Sequence, residues 1–276
     1  MNSDIHNNHN GTAACKALVL DETQQADEFI LAEEVALSIS YNGINYAVML
    51  VTPADIEDFV IGFSLTSGII EKRNQLYGVT IEQYEEHLNA EVEISNQAFW
   101  ALKSKRRQLA GASGCGLCGV EALEAALPSL TPLKSSDLPA LQQLHHLREA
   151  VYQAQTLGKK SGAVHAALYL DTHNNVLSSR EDIGRHNAFD KLIGDILTRQ
   201  LRTNDNLVVL SSRCSLELVQ KAIRAQLPVL VTLSAPTAMA VRWAVRYNLT
   251  LIHVPRRDAP RVYGGASETT DSTSLR

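Results

Sequence analysis

The residues most able to do chemistry in this chain are two cysteines in the segment 112–121, which reads ASGCGLCGVE. Cys115 and Cys118 form a C-x-x-C pair, and glycines precede, separate and follow the two thiols. The residues after Cys118 read GVEALEAAL and predict a helix, whose first backbone N–H groups would stabilise a thiolate. Positive charge lies upstream, on Lys103, Lys105, Arg106 and Arg107. The sequence therefore predicts a reactive pair of thiols.

A single C-x-x-C pair also fits two other interpretations, a buried pair of thiols or half of a zinc site completed by histidines. Zinc nucleoside deaminases carry H-x-E and, farther along the chain, P-C-x-x-C. Here His165 is followed by Ala166 and Ala167, and the C-x-x-C pair precedes this histidine. Deaminase chemistry is therefore unsupported. We predict no metal site and expect His165 to be a pocket or core histidine.

Length, charge and cysteine content limit the class of protein. The 276 residues are 45% hydrophobic, and we expect two domains of modest size. A net charge of -5 argues against nucleic acid as a partner. Four cysteines are too few for a disulfide framework, and no secretion signal is visible at the N-terminus, so we expect a cytoplasmic protein. The apolar runs are shorter than the ~20 residues of a membrane span, which predicts no membrane association.

In the first half of the chain, apolar and polar residues alternate as they do in the strands of an antiparallel sheet. Residues 1–29 are predicted to be a disordered tail and lead-in, because the first of them are polar and rich in Asn and His. Two alternating runs meet at Asn42-Gly43, which predicts a hairpin. Thr52 and Pro53 predict the start of a helix. With further alternation in VTIEQY and AEVEIS, and a helix through FWALKSKRRQLA, residues 30–140 read as an α+β domain that includes the C-x-x-C segment.

The second half alternates strands with helices. Apolar strands NLVVLSS, PVLVTLS and LTLIHV alternate with helices predicted to start near His186, Cys214 and Pro236. This pattern predicts an α/β domain over residues 141–263, with an initial hairpin and a mostly parallel sheet covered on both faces. Residues 264–276 are predicted to be a flexible tail. In such a sheet we expect ligands at the carboxyl ends of the strands.

Four motifs, in this order, resemble the FdhD family of formate dehydrogenase accessory sulfurtransferases. They are YNGINYAVMLVTPADIEDFVIGFSLTSGII at 41–70, SGCGLCGVE at 113–121, EDIGRHNAFDKLIG at 181–194 and SSRCSLELVQKA at 211–222. The resemblance covers the chain from about residue 30 to 263. It implies a cytidine-deaminase-like C-terminal domain and a smaller α+β N-terminal domain, assembled as a homodimer.

The resemblance also implies a function. The protein would accept sulfur from a cysteine desulfurase and pass it to the molybdenum bis(molybdopterin guanine dinucleotide) cofactor that makes a formate dehydrogenase active. Cys115 matches the first cysteine of the family motif and would carry the sulfur as a persulfide, which Cys118 would assist or protect. Cys214 and Cys15 are poorer candidates. The alternative is a cofactor-binding chaperone that uses the C-x-x-C pair to dock a partner or zinc without transferring sulfur.

The cofactor is large and anionic, and a local excess of arginine lies near the C-terminus. Residues 240–263 contain five arginines and the single acid Asp258. The family's cofactor-binding stretch matches Val254, Pro255, Arg256, Arg257, Asp258 and Ala259. We expect guanine nucleotides to bind there as analogues of the cofactor. Ala259 stands where the family usually has a basic residue, and Arg185 and His186 are additional candidates for phosphate or guanine contacts outside this set.

Overall fold

The computed structural model describes residues 6–8, 11–20, 25–111, 126–203 and 206–264. The elements before the C-x-x-C segment are β1 (His6–Asn8), β2 (Thr12–Leu18), β3 (Ala26–Ala32), β4 (Val35–Tyr41), β5 (Ile44–Val51), α1 (Ile56–Thr66), β6 (Leu76–Gln83), β7 (His87–Ile94) and α2 (Asn96–Gly111). The elements after it are α3 (Leu141–Leu144), α4 (Leu147–Ala154), α5 (Leu157–Ser161), β8 (His165–Leu170), β9 (Val176–Asp182), α6 (Arg185–Thr198), β10 (Leu207–Leu210), α7 (Leu216–Arg224), β11 (Val229–Thr232), α8 (Ala238–Arg246), β12 (Thr250–His253) and β13 (Arg261–Tyr263).

The N-terminal residues differ from the predicted disordered tail. Strands β1, β2 and β3 pair in an antiparallel sheet, with Thr12 opposite Ala32 and Leu18 opposite Ala26. The base of this sheet packs on the body of the protein, because a Cβ on Gly11 would lie 2.8 Å from the Thr52 Cγ2 methyl. Composition suggested a tail, whereas pairing with β3 and this tertiary contact hold residues 12–18 as a strand.

The second sheet confirms the hairpin predicted at Asn42-Gly43. Its strand order is β5-β4-β7-β6, and both turn residues have positive φ, at 46° and 77°. Strands β4 and β7 run parallel, and the other two pairings are antiparallel. The helix predicted from Thr52 begins later, at Ile56. Thr52 instead makes tertiary hydrogen bonds, and its hydroxyl accepts from the Ile183 N–H at 3.1 Å.

The third sheet has the order β13-β12-β11-β10-β8-β9. The predicted initial hairpin is confirmed, since β8 pairs with β9 in antiparallel fashion. The prediction of a mostly parallel sheet is wrong, because among the described strands of this sheet only the β10–β11 and β11–β12 pairings are parallel. Strand β8 also pairs antiparallel with β10, and the chain turns back after β12 to add β13 as an antiparallel edge.

Helices cover both faces of this mixed α/β sheet. On one face α6, α7 and α8 pack in the same apolar core as α1 and the second sheet. On the other face α3 and α4 bury Leu144, Leu147 and Val151 against a separate cluster of sheet residues. One core thus spans both predicted domains, and the boundary at residue 140 and the likeness to a cytidine deaminase stay predictions. Within the described part of the chain, every helix is too short or too polar to cross a membrane.

Two glycines allow helices α1 and α6 to cross closely. A Cβ on Gly62 would collide with the backbone carbonyl of Asp190, and one on Gly194 would collide with the carbonyl of Asp58. Each collision involves backbone, so no side chain can rotate away to relieve it. The glycines therefore let the N-terminal helix pack directly on the helix that follows β9.

Ion pairs flank this crossing on both sides, one buried and one half-buried. Lys221 donates to both Asp190 oxygens at 2.8 and 2.9 Å, and Thr66 donates to the same carboxylate at 2.7 Å. On the other side, Arg180 donates to Asp58 at 2.7 Å. Because a buried charge that loses its partner is strongly destabilising, these pairs favour a single arrangement of α1, α6, α7 and β9.

We predict that Gly62→Ala destabilises the protein by roughly 1–3 kcal/mol or more, because the added methyl must separate α1 from α6. The free energy of unfolding, measured in urea by circular dichroism, checks this. Gly78→Ala is the matched control, since a Cβ there meets nothing closer than the Glu93 carboxylate at 3.8 Å. Equal stability of the two variants would contradict the close crossing.

Candidate functional site

The predicted catalytic residues Cys115 and Cys118 lie outside the described residues. The chain is described up to Gly111 and again from Ala126. Ahead of the gap, the Lys103 ammonium lies 4.4 Å from the Phe99 ring centroid and 5.1 Å from that of Trp100. Lys103 therefore packs back along α2, so its charge is directed toward these aromatic rings.

After the gap, the chain is attached to the helices of the third sheet. The Ala126 carbonyl accepts from Gln220 of α7 at 2.9 Å. The Leu130 N–H donates to the Tyr247 hydroxyl at 3.3 Å, and the Leu133 N–H donates to the Tyr247 carbonyl at 2.9 Å. Ala126, the first described residue after the C-x-x-C segment, therefore lies against α7 at Gln220, which is three residues after Glu217.

One edge of the third sheet collects the polar residues of the predicted ligand site. Strands β9, β10, β11 and β12 all point toward this edge, which we call the carboxyl edge. Helices α6, α7 and α8 each begin there, and the segment 254–259 leaves β12 at the same edge. Backbone N–H groups at helix starts favour anions, so the architecture supports an anionic ligand at this position.

Asp182, at the end of β9, organises the base of the carboxyl edge. Its side chain is fully buried and accepts from the Thr52 N–H at 3.0 Å and the Gly184 N–H at 2.8 Å. It also accepts from the Asn187 amide at 2.9 Å and pairs with the Lys191 ammonium at 2.7 Å. Lys191 in turn donates to the Thr52 carbonyl at 2.9 Å. This Asp182 network fixes the start of α6 against the end of β5.

His165, which opens β8, lies among charged groups of the carboxyl edge. Burial lowers the pKa of His165, the positive charge of Arg185 lowers it further, and Asp182 raises it. The charge of Arg213 also disfavours protonation. His165 is thus half-buried near Arg185 and Arg213, and its role as a pocket or core histidine stays a prediction. A neutral imidazole here can donate or accept a hydrogen bond, and a bound anion would favour its protonation.

His186 connects the starts of α6 and α7. Its Nε2 lies 3.2 Å from Glu217 and 3.4 Å from the Ser215 hydroxyl. A hydrolytic triad would need the acid on Nδ1 and the serine on Nε2, so this cluster does not have triad geometry. Burial lowers the pKa of His186, whereas Glu217 raises it. The cluster can bind and orient a polar ligand.

The predicted cofactor-binding stretch follows β12 directly. Val254 and Pro255 are half-buried, and the Val254 N–H donates to the Thr232 carbonyl at 2.9 Å. The next four residues are exposed; they are Arg256, Arg257, Asp258 and Ala259. Asp258 pairs with Arg261 of β13 at 2.9 Å. The stretch thus begins in the sheet and presents two arginines at the carboxyl edge.

Arg148 supports this stretch from the opposite face of the sheet. Its Nη2 donates to the carbonyl oxygens of Leu233 and Val254, which follow β11 and β12. Burial lowers the pKa of Arg148, and the charge of Arg256 lowers it further. Arg148 therefore fixes the ends of two parallel strands relative to each other, close to the first predicted cofactor-binding arginine.

Of the two cysteines in the described residues, Cys214 is a poor nucleophile by position. Cys214 is fully buried, and burial raises its pKa to about 12. Cys15 is half-buried on β2. The described residues contain no group of three or more His, Cys, Asp or Glu side chains arranged to hold a metal ion.

Sequence reasoning missed three residues of the carboxyl edge. They are Arg148, Asp182 and Glu217. Asp182 lies in the quoted motif EDIGRHNAFDKLIG, nine residues before Lys191, and that spacing gives no sign that the two pair. Arg148 and Glu217 lie in helices, at positions where a charged residue is usually only a solvated surface residue. Only the sheet topology brings them to the site.

The chain matches a known family over most of its length. The family model of the FdhD/NarQ family matches residues 32–270. A protein of Bordetella bronchiseptica named "Sulfur carrier protein FdhD" is 39% identical over 245 residues, covering 89% of this chain and 88% of that protein. One of the same name from Xanthomonas euvesicatoria is 40% identical over 227 residues, covering 82% of this chain and 81% of that protein.

A solved structure shares the fold. It is described as a candidate formate dehydrogenase accessory protein from Desulfotalea psychrophila. The TM-score is 0.70 at 21% sequence identity, and the likeness covers 93% of this chain and 98% of that one. At this identity the likeness concerns the arrangement of sheets and helices.

We predict that Lys191→Met lowers the free energy of unfolding by about 3–5 kcal/mol, because it leaves the Asp182 carboxylate buried without a cation. Urea unfolding followed by circular dichroism measures the effect. Arg261→Met is the control: it removes a cation from an exposed pair and should cost less than about 1 kcal/mol. A Lys191→Met variant no less stable than this control would show that the buried network is not essential to the fold.

Proposed function

The chain belongs to the FdhD/NarQ family, and from that premise we propose that it is a sulfurtransferase. It accepts sulfur from a cysteine desulfurase as a persulfide on Cys115 and delivers it to the molybdenum bis(molybdopterin guanine dinucleotide) of a formate dehydrogenase. The observation that carries the proposal is 39% identity over 245 residues to a protein named as a sulfur carrier. The carboxyl edge carries arginines and the starts of three helices, which supports binding of an anionic substrate.

Loading requires only thiol–disulfide exchange. The Cys115 thiolate attacks the outer sulfur of the desulfurase persulfide, a new S–S bond forms on Cys115, and the desulfurase cysteine leaves as a thiolate. One S–S bond forms as another breaks, so no external oxidant or reductant is needed. Cys118 assists or protects the persulfide. The buried Cys214, whose pKa is raised to about 12, is unsuited to this attack at neutral pH.

Delivery requires the loaded sulfur and the cofactor to meet. Ala126 is hydrogen-bonded to α7 through Gln220, one turn from the carboxyl edge. The eight residues from Cys118 to Ala126 can extend to about 26–29 Å. The chain length is therefore sufficient for either cysteine to approach a ligand at that edge. This tether supports a mechanism in which the C-x-x-C segment carries sulfur to a bound cofactor.

Arginine is the side chain best suited to the cofactor's pyrophosphate groups. Its planar guanidinium gives two parallel hydrogen bonds to one phosphate. Arg256 and Arg257 are both exposed, directly after the buried end of β12. We assign them the phosphate contacts, with Val254, Pro255, Asp258 and Ala259 completing the stretch. Arg185 and His186 at the start of α6 are additional contacts. Because Ala259 carries no charge, Arg256 and Arg257 supply the positive charge of the stretch.

Assembly and the second candidate function are also part of the proposal. We propose that the protein acts as a homodimer, as the family resemblance implies. A cofactor-binding chaperone, which would use the C-x-x-C pair only to dock a partner or zinc, is the alternative. The glycines around Cys115 favour transfer, because they leave space for a bulky donor and acceptor to approach the sulfur.

We predict that incubation with a cysteine desulfurase and cysteine adds one sulfur atom to the peptide 112–121, on Cys115. Mass spectrometry of the trapped persulfide measures this addition. Cys115→Ala should abolish the gain, because the two described thiols, Cys15 and Cys214, lack the glycines that surround Cys115 in the sequence. Cys214→Ala is the matched control and should load normally. A Cys115→Ala variant that still acquires and delivers sulfur would refute the assignment, and a protein that never loads would favour the chaperone.

We predict that Arg256→Ala and Arg257→Ala each weaken GDP binding by about tenfold or more, because each removes a charge-assisted hydrogen bond to phosphate. Isothermal titration calorimetry at two salt concentrations measures the affinity, which should fall as salt rises. Persulfide loading on Cys115 should be unchanged in both variants.

The control for this experiment is Arg246→Ala. Arg246 occupies the last turn of α8, at the end of the helix opposite to the carboxyl edge. Its loss should leave GDP affinity unchanged. If neither Arg256→Ala nor Arg257→Ala weakens GDP binding, the phosphate site lies elsewhere, and Arg185 and His186 are the next residues to replace.

A further inference from the structure

Glu217 is an acid in a basic part of the molecule. It lies in the first turn of α7, and its side chain is 57% exposed. Its Oε2 is 3.2 Å from the His186 imidazole and its Oε1 is 3.7 Å from the Lys221 ammonium. The starts of α6 and α7 also carry the basic residues Arg185 and Arg213. An acid in the first turn stabilises the helix start, but it also repels the phosphate groups of an anionic ligand.

The other acids near the carboxyl edge are already engaged. Asp182 is fully buried and accepts from four donors. Glu181 accepts from the backbone N–H groups of Leu157 and Gly158 at the start of α5. Asp258 pairs with a β13 arginine. Among the described acids of this edge, Glu217 and Asp258 are exposed, at 57% and 66%. Of the two, Glu217 lies beside the half-buried His186, where its carboxylate keeps acceptor positions for a ligand.

The sheet places the strand that precedes Glu217 near the strand that precedes the phosphate site. Glu217 follows β10, and Arg256 and Arg257 follow β12, two positions along the sheet. Neighbouring strands lie 4.7–4.9 Å apart, so the ends of β10 and β12 are separated by about 10 Å. That separation matches a nucleoside diphosphate, with its base at one loop and its phosphates at the other.

We propose that the Glu217 carboxylate recognises the guanine base of the ligand, held in place by His186. This inference rests on the proposed function, which supplies the guanine nucleotide. Guanine presents two adjacent donors, N1–H and the N2 amino group, and a carboxylate accepts both. Adenine presents an unprotonated N1 at the same position, which a carboxylate repels. Hypoxanthine keeps N1–H but lacks the amino group, so the predicted order of affinity is GDP, then IDP, then ADP.

Calorimetric titration of GDP, IDP and ADP into the full chain tests the proposal. Glu217→Gln should reduce the preference for GDP over ADP by about tenfold or more, since a charge-assisted hydrogen bond is lost. The affinity for ADP should be unchanged or higher, because the variant removes a negative charge from the site. The ratio of the two affinities thus separates base recognition from a general change of charge.

Two further variants complete the experiment. Glu217→Asp keeps an acid in the first turn of α7 but shortens its reach, so it should lose the preference for GDP and keep the stability of the helix. Glu71→Gln is the matched control. Glu71 is exposed and follows α1, and a Cβ on the nearby Gly68 would meet the guanidinium of Arg224, the last residue of α7, at the end away from the carboxyl edge. This control should leave the ratio unchanged.

The outcomes separate this inference from the proposed function. A Glu217→Gln variant that keeps the full preference for GDP would overturn the inference alone, and so would a wild-type protein that binds GDP and ADP equally. Wild-type protein that binds neither nucleotide would overturn the proposed ligand and the inference together. The inference would be supported if Glu217→Gln and Glu217→Asp lose the preference for GDP and Glu71→Gln keeps it.

Discussion

The buried pair of Asp182 and Lys191 joins the parts of the molecule on which the candidate site depends. Asp182 ends β9, and it accepts from Thr52 at the end of β5 and from Gly184 at the start of α6. Two isolated charges could not be buried here, because desolvation would exceed their attraction without the additional hydrogen bonds. The cluster therefore forms only when both sheets are correctly placed, and the same condition places Arg185 and His186 at the carboxyl edge.

This constraint separates the two chemical tasks of the proposed function. The carboxyl edge is built from rigid strand ends, and Arg148 fixes two of those ends from the opposite face. The proposed sulfur carriers Cys115 and Cys118 precede Ala126 in the sequence, and Ala126 is hydrogen-bonded to α7. A fixed phosphate site and a tethered carrier can meet without a rearrangement of the sheet. In this account Glu217 contributes selectivity for the base, and the arginines contribute affinity for phosphate.

Much of this arrangement was predictable, because local signals determine it. The Asn42-Gly43 hairpin is confirmed, and the helices predicted near His186, Cys214 and Pro236 begin within two residues of those positions. The pairing of β8 with β10 and the antiparallel edge strand β13 were not predicted, since both depend on tertiary pairing and not on composition. The roles of Glu217 and Arg148 depend on the approach of distant loops, which no local pattern reports. The assignments to Cys115 and to residues 254–259 stay predictions.

Sulfur delivery in the presence of a competing nucleotide tests whether Cys115 and the carboxyl edge act on the same ligand. Protein loaded with radioactive sulfur on Cys115 would be mixed with formate dehydrogenase cofactor that lacks the transferred sulfur, with and without excess GDP. We expect that label moves to the cofactor, that GDP blocks the movement, and that GDP leaves the label on Cys115 in place. Transfer that proceeds unchanged with GDP bound would contradict the account, because the carrier and the carboxyl edge would then not act on the same ligand.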